Sequence, residues 1–123
     1  MRKTRDYDLQ DRLVDYAVRI IKLSEVLPNT KAGKHVSMQI LRSGTSPAAN
    51  YGEAQSAESK ADFVHKLKLS LKELRETEIW LKVIQGADMI KPKSKMGALL
   101  QETDELVAIL FSSIETAQKG KQR

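Results

Sequence analysis

Cysteine is absent from this 123-residue chain, and that single absence excludes disulfides, thiolate zinc sites and cysteine nucleophiles together. The fold must stand on packing alone. Aromatic residues make up only 5%, a shortage that disfavours sheet and favours aliphatic helix packing. Long apolar runs are missing too: none approaches the ~18–20 residues of a membrane span. The opening segment MRKTRDYDLQDRL lacks the apolar stretch of a signal peptide, so a cytoplasmic protein with no membrane partner is expected. With 41% hydrophobic and 30% charged residues, what is present is an ordinary globular composition. The length suits one domain, residues 1–123, around one core.

Read for period, the chain gives four helical patterns and no convincing strand. Leu9, Leu13, Tyr16, Ile20 and Leu27 follow three- and four-residue spacing through roughly 7–27, ended by Pro28-Asn29-Thr30. Val36, Ile40, Ser43, Pro47, Tyr51 and Ala54 continue the period through roughly 31–55. Ser59 followed by Asp62 is an acidic variant of a capping box. It opens a third helix over 59–85, with Phe63, Leu67, Leu71, Leu74, Glu78 and Leu81 as its inner line and Gly86 and Lys91-Pro92 as its stop. The fourth covers 94–118 through Met96, Leu99, Thr103, Leu106, Leu110 and Ala117, with Ser113 or Ile114 completing the seam. Four such helices joined by short loops predict an all-α, up-down-up-down antiparallel four-helix bundle.

Ser43–Gly52 interrupts this regularity with two glycines, a proline, an alanine pair and four small polar residues. It reads better as helix trimmed for a close neighbour than as a catalytic loop. An interior proline removes one backbone hydrogen bond and costs roughly 3 kcal/mol. A kink is therefore expected at Pro47, or a break at Thr45-Ser46 with Ser46 capping a new helix and Pro47 as its first residue.

Two helices carry a second stripe. On the third, Leu69, Trp80 and Val83 lie opposite Phe63, Leu67 and Leu74, beside Glu73 and Glu76. On the second, Arg42, Ser46, Ala49, Asn50 and Glu53 form a small, polar stripe suited to a packed interface.

Further residues fall at fixed spacings: Leu41-Arg42-Ser43-Gly44-Thr45-Ser46, Ala49-Asn50-Tyr51, Glu53-Ala54, Ser59, Ala61-Asp62-Phe63, His65-Lys66-Leu67, Leu71-Lys72-Glu73, Arg75-Glu76-Thr77-Glu78 and Trp80-Leu81. This set resembles the bacterial four-helix-bundle family first met as open reading frames in the intervening sequences of 23S rRNA genes. The chain departs at Pro47-Ala48, where the family often has an aliphatic residue and a glycine, and at Ile79, where it often has tyrosine. The resemblance implies a homo-oligomer, typically a homopentameric ring, with no established biochemical activity. It extends distantly to the accessory protein of diversity-generating retroelements, which works with a reverse transcriptase and RNA. In such a ring Arg42, Ser46, Asn50, Glu53, Leu69, Glu73, Glu76 and Trp80 would meet across subunits.

Charge offers a second surface. Arg2, Lys3 and Arg5, Lys91, Lys93 and Lys95, and Lys119, Lys121 and Arg123 supply nine of the 21 basic residues. Without them the remainder is net acidic, 12 against 16. In an up-down bundle both termini lie at one pole and the 91–95 connection at the other, near Lys31 and Lys34. Basic rims of this kind attract polyanions such as RNA or DNA. The clusters lack interleaved aromatics for base stacking, so contact with backbone or shape is the expectation. The competing reading is a structural or protein-interaction oligomer in which these lysines are ordinary solubilising groups.

Enzymatic patterns fare poorly. A di-iron bundle uses inward Glu residues and paired Glu-x-x-His, whereas only Asp62-x-x-His65 approaches that spacing and His35 stands alone. Neither histidine follows an arginine at the offset used by helical RNases of the HEPN type. No Gly-x-x-x-x-Gly-Lys loop occurs, and Ser43, Thr45 and Ser46 have no histidine base nearby in sequence. No catalytic residue, metal or cofactor is expected.

Overall fold

The structure is a computed structural model and describes residues 8–121. Four helices follow one another: α1 (Leu9–Glu25), α2 (Lys31–Ala54), α3 (Lys60–Gly86) and α4 (Lys95–Lys121). The first three starts have a local cause. The side chains of Asp8, Thr30 and Ser59 accept from the backbone N–H of Asp11, Gly33 and Asp62, each satisfying one of the donors that a helix N-terminus leaves free. The Ser59–Asp62 signal therefore marks a real helix start. α3 runs through Gly86 and ends at a left-handed turn on Asp88, φ 55°, where Met89 N–H donates to the Ile84 carbonyl and Asp88 N–H to that of Gln85. That bonding is the Schellman pattern.

The helices pack as an up-down-up-down bundle in which α1/α2, α2/α3 and α3/α4 approach closely and α1/α4 much less. Leu13, Tyr16, Ile20, Ile40, Leu67, Leu74, Leu81, Ile84, Leu106 and Leu110 are sealed inside a single core. Among the described residues there is no strand, and no helix is long and apolar enough to cross a membrane.

Two expectations need correction. The buried line of α3 is Val64, Leu67, Ser70, Leu74, Thr77, Leu81 and Ile84, with Phe63, Leu71 and Glu78 only half-buried at its edge. Ser70 and Thr77 sit inside because α2 satisfies their hydroxyls. Ser70 donates to the Pro47 carbonyl at 3.0 Å, and Thr77 shares a hydrogen bond with Ser43 at 2.9 Å. The second correction concerns the break allowed for at Thr45-Ser46: α2 runs unbroken through Pro47. Ser46 does not cap a new helix; its hydroxyl donates back to the Arg42 carbonyl at 2.8 Å, as Thr45 does to Leu41 at 2.7 Å. Burial of Pro47 between neighbouring helices outweighs the lost backbone bond.

The trimmed segment does let a neighbour in. A Cβ on Gly44 would lie 2.7 Å from Cγ2 of the fully buried Ile20. Gly44→Ala should therefore destabilise the protein by about 1–3 kcal/mol through overpacking, measured by urea unfolding. Gly97, with nothing within 4 Å of its added Cβ, is the control: Gly97→Ala should be neutral or stabilise by up to about 1 kcal/mol. Equal behaviour of the two variants would show that α1 and α2 do not touch as described.

Candidate functional site

The seam between α2 and α3 brings together Arg42, Glu73, Glu76 and Trp80 from the two second stripes. Arg42 donates to Glu73 at 3.2 Å, to Glu76, and to Gln39 at 3.1 Å. Trp80 donates its indole N–H to Glu76 at 3.0 Å, and its ring meets His35 edge-on, with centroids 5.9 Å apart and planes at 76°. Asn50 donates to the Ser46 carbonyl at 3.2 Å, and Leu69 is half-buried. Glu53 is not part of the arginine cluster: Lys66 donates to it at 2.7 Å, a pairing that two charges on different helices did not announce in the sequence. Trp80 does not turn away from the core either, since it is half-buried against the core's edge. Within the chain these charges form two separate groups, Arg42 with Glu73 and Glu76, and Lys66 with Glu53. Solvent-exposed ion pairs of this kind contribute about 0–1 kcal/mol apiece.

The Trp80 N–H, followed by Arg42, holds the Glu76 carboxyl below its ordinary range against the opposing effect of burial. Serine and threonine hydroxyls along the trimmed segment are likewise engaged. Ser43 bonds to Thr77, and Thr45 and Ser46 donate to backbone carbonyls. Among the described residues no three His, Asp or Glu side chains form a group that could hold a metal ion.

The second surface is electrostatic. Antiparallel packing brings the end of α1, the start of α2, the end of α3 and the start of α4 to one pole. Residues 19–34 and 82–95 place eight basic side chains there, Arg19, Lys22, Lys31, Lys34, Lys82, Lys91, Lys93 and Lys95, against only Glu25 and Asp88. The rest of the chain is close to balance, with 13 basic residues against 14 acidic. Lys93 donates to Asp88 at 2.7 Å and, ahead of Lys91, lowers that carboxyl's pKa. Lys91 and Lys95 instead border a cleft shared with Arg19 and Lys22. Sequence reading found the 91–95 cluster and missed Arg19, Lys22 and Lys82; the signal available was the topology, which lays those distant segments side by side. At the opposite pole Lys119 is exposed, at the same end as the acidic Asp8, Glu58 and Asp62. Arg2, Lys3, Arg5 and Arg123, with the side chain of Lys121, lie outside the described residues.

Comparison with known proteins agrees with the fold. Residues 5–112 match the family described as 23S rRNA-intervening sequence protein. The crystal structure of a protein with unknown function from the S23 ribosomal protein family of Bacteroides thetaiotaomicron is 38% identical, with a TM-score of 0.81 over 87% of this chain and 98% of that one. No curated protein matches the chain.

The Glu76 shift has a pH signature. A carboxyl lowered on folding adds stability that is present above its unfolded pKa and lost as pH falls through the folded one. In carboxyl-carbon NMR, Glu76 should titrate below the ordinary 4.5, and Trp80→Phe should move it back toward that value. An unmoved titration would assign the shift to Arg42 alone.

Proposed function

The chain belongs to the 23S rRNA-intervening sequence protein family, and from that premise we propose that it is a non-enzymatic, homo-oligomeric accessory protein that holds nucleic acid by its phosphate backbone at the basic pole. One observation carries the reading: eight basic groups stand against two carboxylates at one end of the bundle, while the rest of the chain is close to balance. Such a concentration steers and retains polyanions, with an affinity that falls as salt rises. Neither residues 19–34 nor residues 82–95 contain an aromatic side chain, which favours backbone contact over base stacking. The proposed setting is cytoplasmic, with RNA, DNA or a nucleic-acid enzyme such as a reverse transcriptase as partner.

Self-association is supported by the outer side of α3. Ile79 and Val83 are 60% and 39% exposed, and Val83 lies about one turn from both Ile79 and Trp80 on the same helix. A cyclic assembly through this face and the α2/α3 seam would repeat the basic pole around a rim.

The test is binding to structured RNA and duplex DNA at several salt concentrations. The log–log slope should be steep, and Lys91→Glu with Lys95→Glu should reduce it by about 0.7–0.9 for each phosphate no longer neutralised. Lys93→Glu should do less, because Asp88 already neutralises Lys93. Absence of binding even at low salt would overturn the reading in favour of an oligomer with a polypeptide partner.

Solution mass tests the assembly. Trp80→Ala should dissociate it. Ile79→Lys, which alters a mostly exposed side chain, should do so without lowering the melting temperature of the monomer. An unchanged mass in both variants would remove α3 from the interface.

A further inference from the structure

The α1/α4 seam is closed over only part of its length. Toward the α1 N-terminus, Arg12 bridges to Glu102 and Glu105, and Tyr16 shares a 2.6 Å hydrogen bond with Thr103. Beyond them, toward the α3–α4 connection, the seam opens into a cleft of about 430 Å³. Leu23, Ile90, Met96 and Leu99 form its floor, and the last three are only 8%, 1% and 6% exposed. Arg19 and Lys22 stand on the α1 side, Lys91 and Lys95 on the other. Among the described residues no acidic side chain lines the cleft, and nearby Asp88 is engaged by Lys93.

From this geometry we infer that the cleft is a binding site for an aliphatic carboxylate: an unbranched chain of medium length lying on the Leu23–Met96–Leu99 floor, its carboxylate between the cations of the two walls. The inference does not rest on the nucleic-acid reading. A volume of this size falls within the roughly 300–1,000 Å³ of small-molecule sites, which pair an apolar lining with a few orienting polar groups. Water on the floor gains no hydrogen-bonding partner from aliphatic side chains, so an apolar chain displaces it favourably. Methionine adapts its shape to a flexible chain. The cations repel one another until an anion enters, which selects a charged head over a neutral one. A polyphosphate would satisfy the cations and leave the floor wet.

The experiment uses the full chain with methyl-labelled methionine, whose four methyl signals report on Met1, Met38, Met89 and Met96. Met89 and Met96 line the cleft, whereas Met38 lies on α2 and is 72% exposed. Decanoate, added below its micelle-forming concentration, should shift Met89 and Met96 saturably and leave Met38 in place. Decanol should bind at least about tenfold more weakly, the equivalent of ~1.4 kcal/mol. Leu23→Trp, which fills the cleft from its half-buried side, should abolish the shifts. Lys22→Gln with Lys95→Gln, both exposed and foldable substitutions, should erase the preference for decanoate over decanol. The proposal is overturned if Met38 moves in step with the other two, if the alcohol binds as well as the acid, or if decanoate moves neither cleft methionine.

Discussion

Between Ser43 and Pro47, α2 must lie against α1 on one side and α3 on the other, and the space for both is made by removing side chain. Gly44 leaves room for Ile20 of α1. Ser43 is small enough to face Thr77, and the Pro47 carbonyl receives the Ser70 hydroxyl of α3. Larger residues here would push three helices apart at once, because a close-packed interior transmits misfit instead of absorbing it. The buried hydroxyls are all paired: among the described residues no buried side-chain nitrogen or oxygen lacks a hydrogen-bond partner. This polar vein through an aliphatic core fixes the rotation of α3 against α2, and so decides which residues of each helix meet at the outer seam.

That vein also separates what could be read from the sequence from what could not. Apolar period gave the helices, their order and most of the inner line of α1, α2 and α4, because burial of aliphatic side chains is what sets those faces. It misplaced part of the α3 line, where Ser70 and Thr77 look like surface residues until partners on another helix appear. The Ser59 cap was legible because the interaction spans three residues, whereas the Glu53–Lys66 pair was not, since its partners belong to different helices. The break allowed for at Thr45-Ser46 does not occur, for the same reason. A local rule about proline is overridden when neighbouring helices enclose the whole segment.

Charge follows a similar logic. The 91–95 lysines are visible as a run, but a run says nothing about local neutralisation, and Asp88 engages the middle one. Arg19 and Lys22, inconspicuous within an amphipathic helix pattern, join Lys91 and Lys95 only because α1 and α4 are neighbours. The basic pole is thus a property of the topology. Its two carboxylates are too few to balance eight cations, and the resulting field extends over roughly a Debye length, ~8–10 Å at ordinary ionic strength.

The unequal seams give the molecule a further character. Three close helix pairs in succession form a strip, and the strip becomes a cylinder only where Tyr16 meets Thr103 and Arg12 meets Glu102 and Glu105. These contacts act as a latch joining the first helix to the last. The latch lies apart from the α2–α3 vein, so its release would open the α1/α4 side of the core and leave the vein's hydrogen bonds in place. With the α1/α4 side sparse and the α1/α2 side close, the first helix is held chiefly by the second, and the bundle's cheapest local opening lies along this one seam.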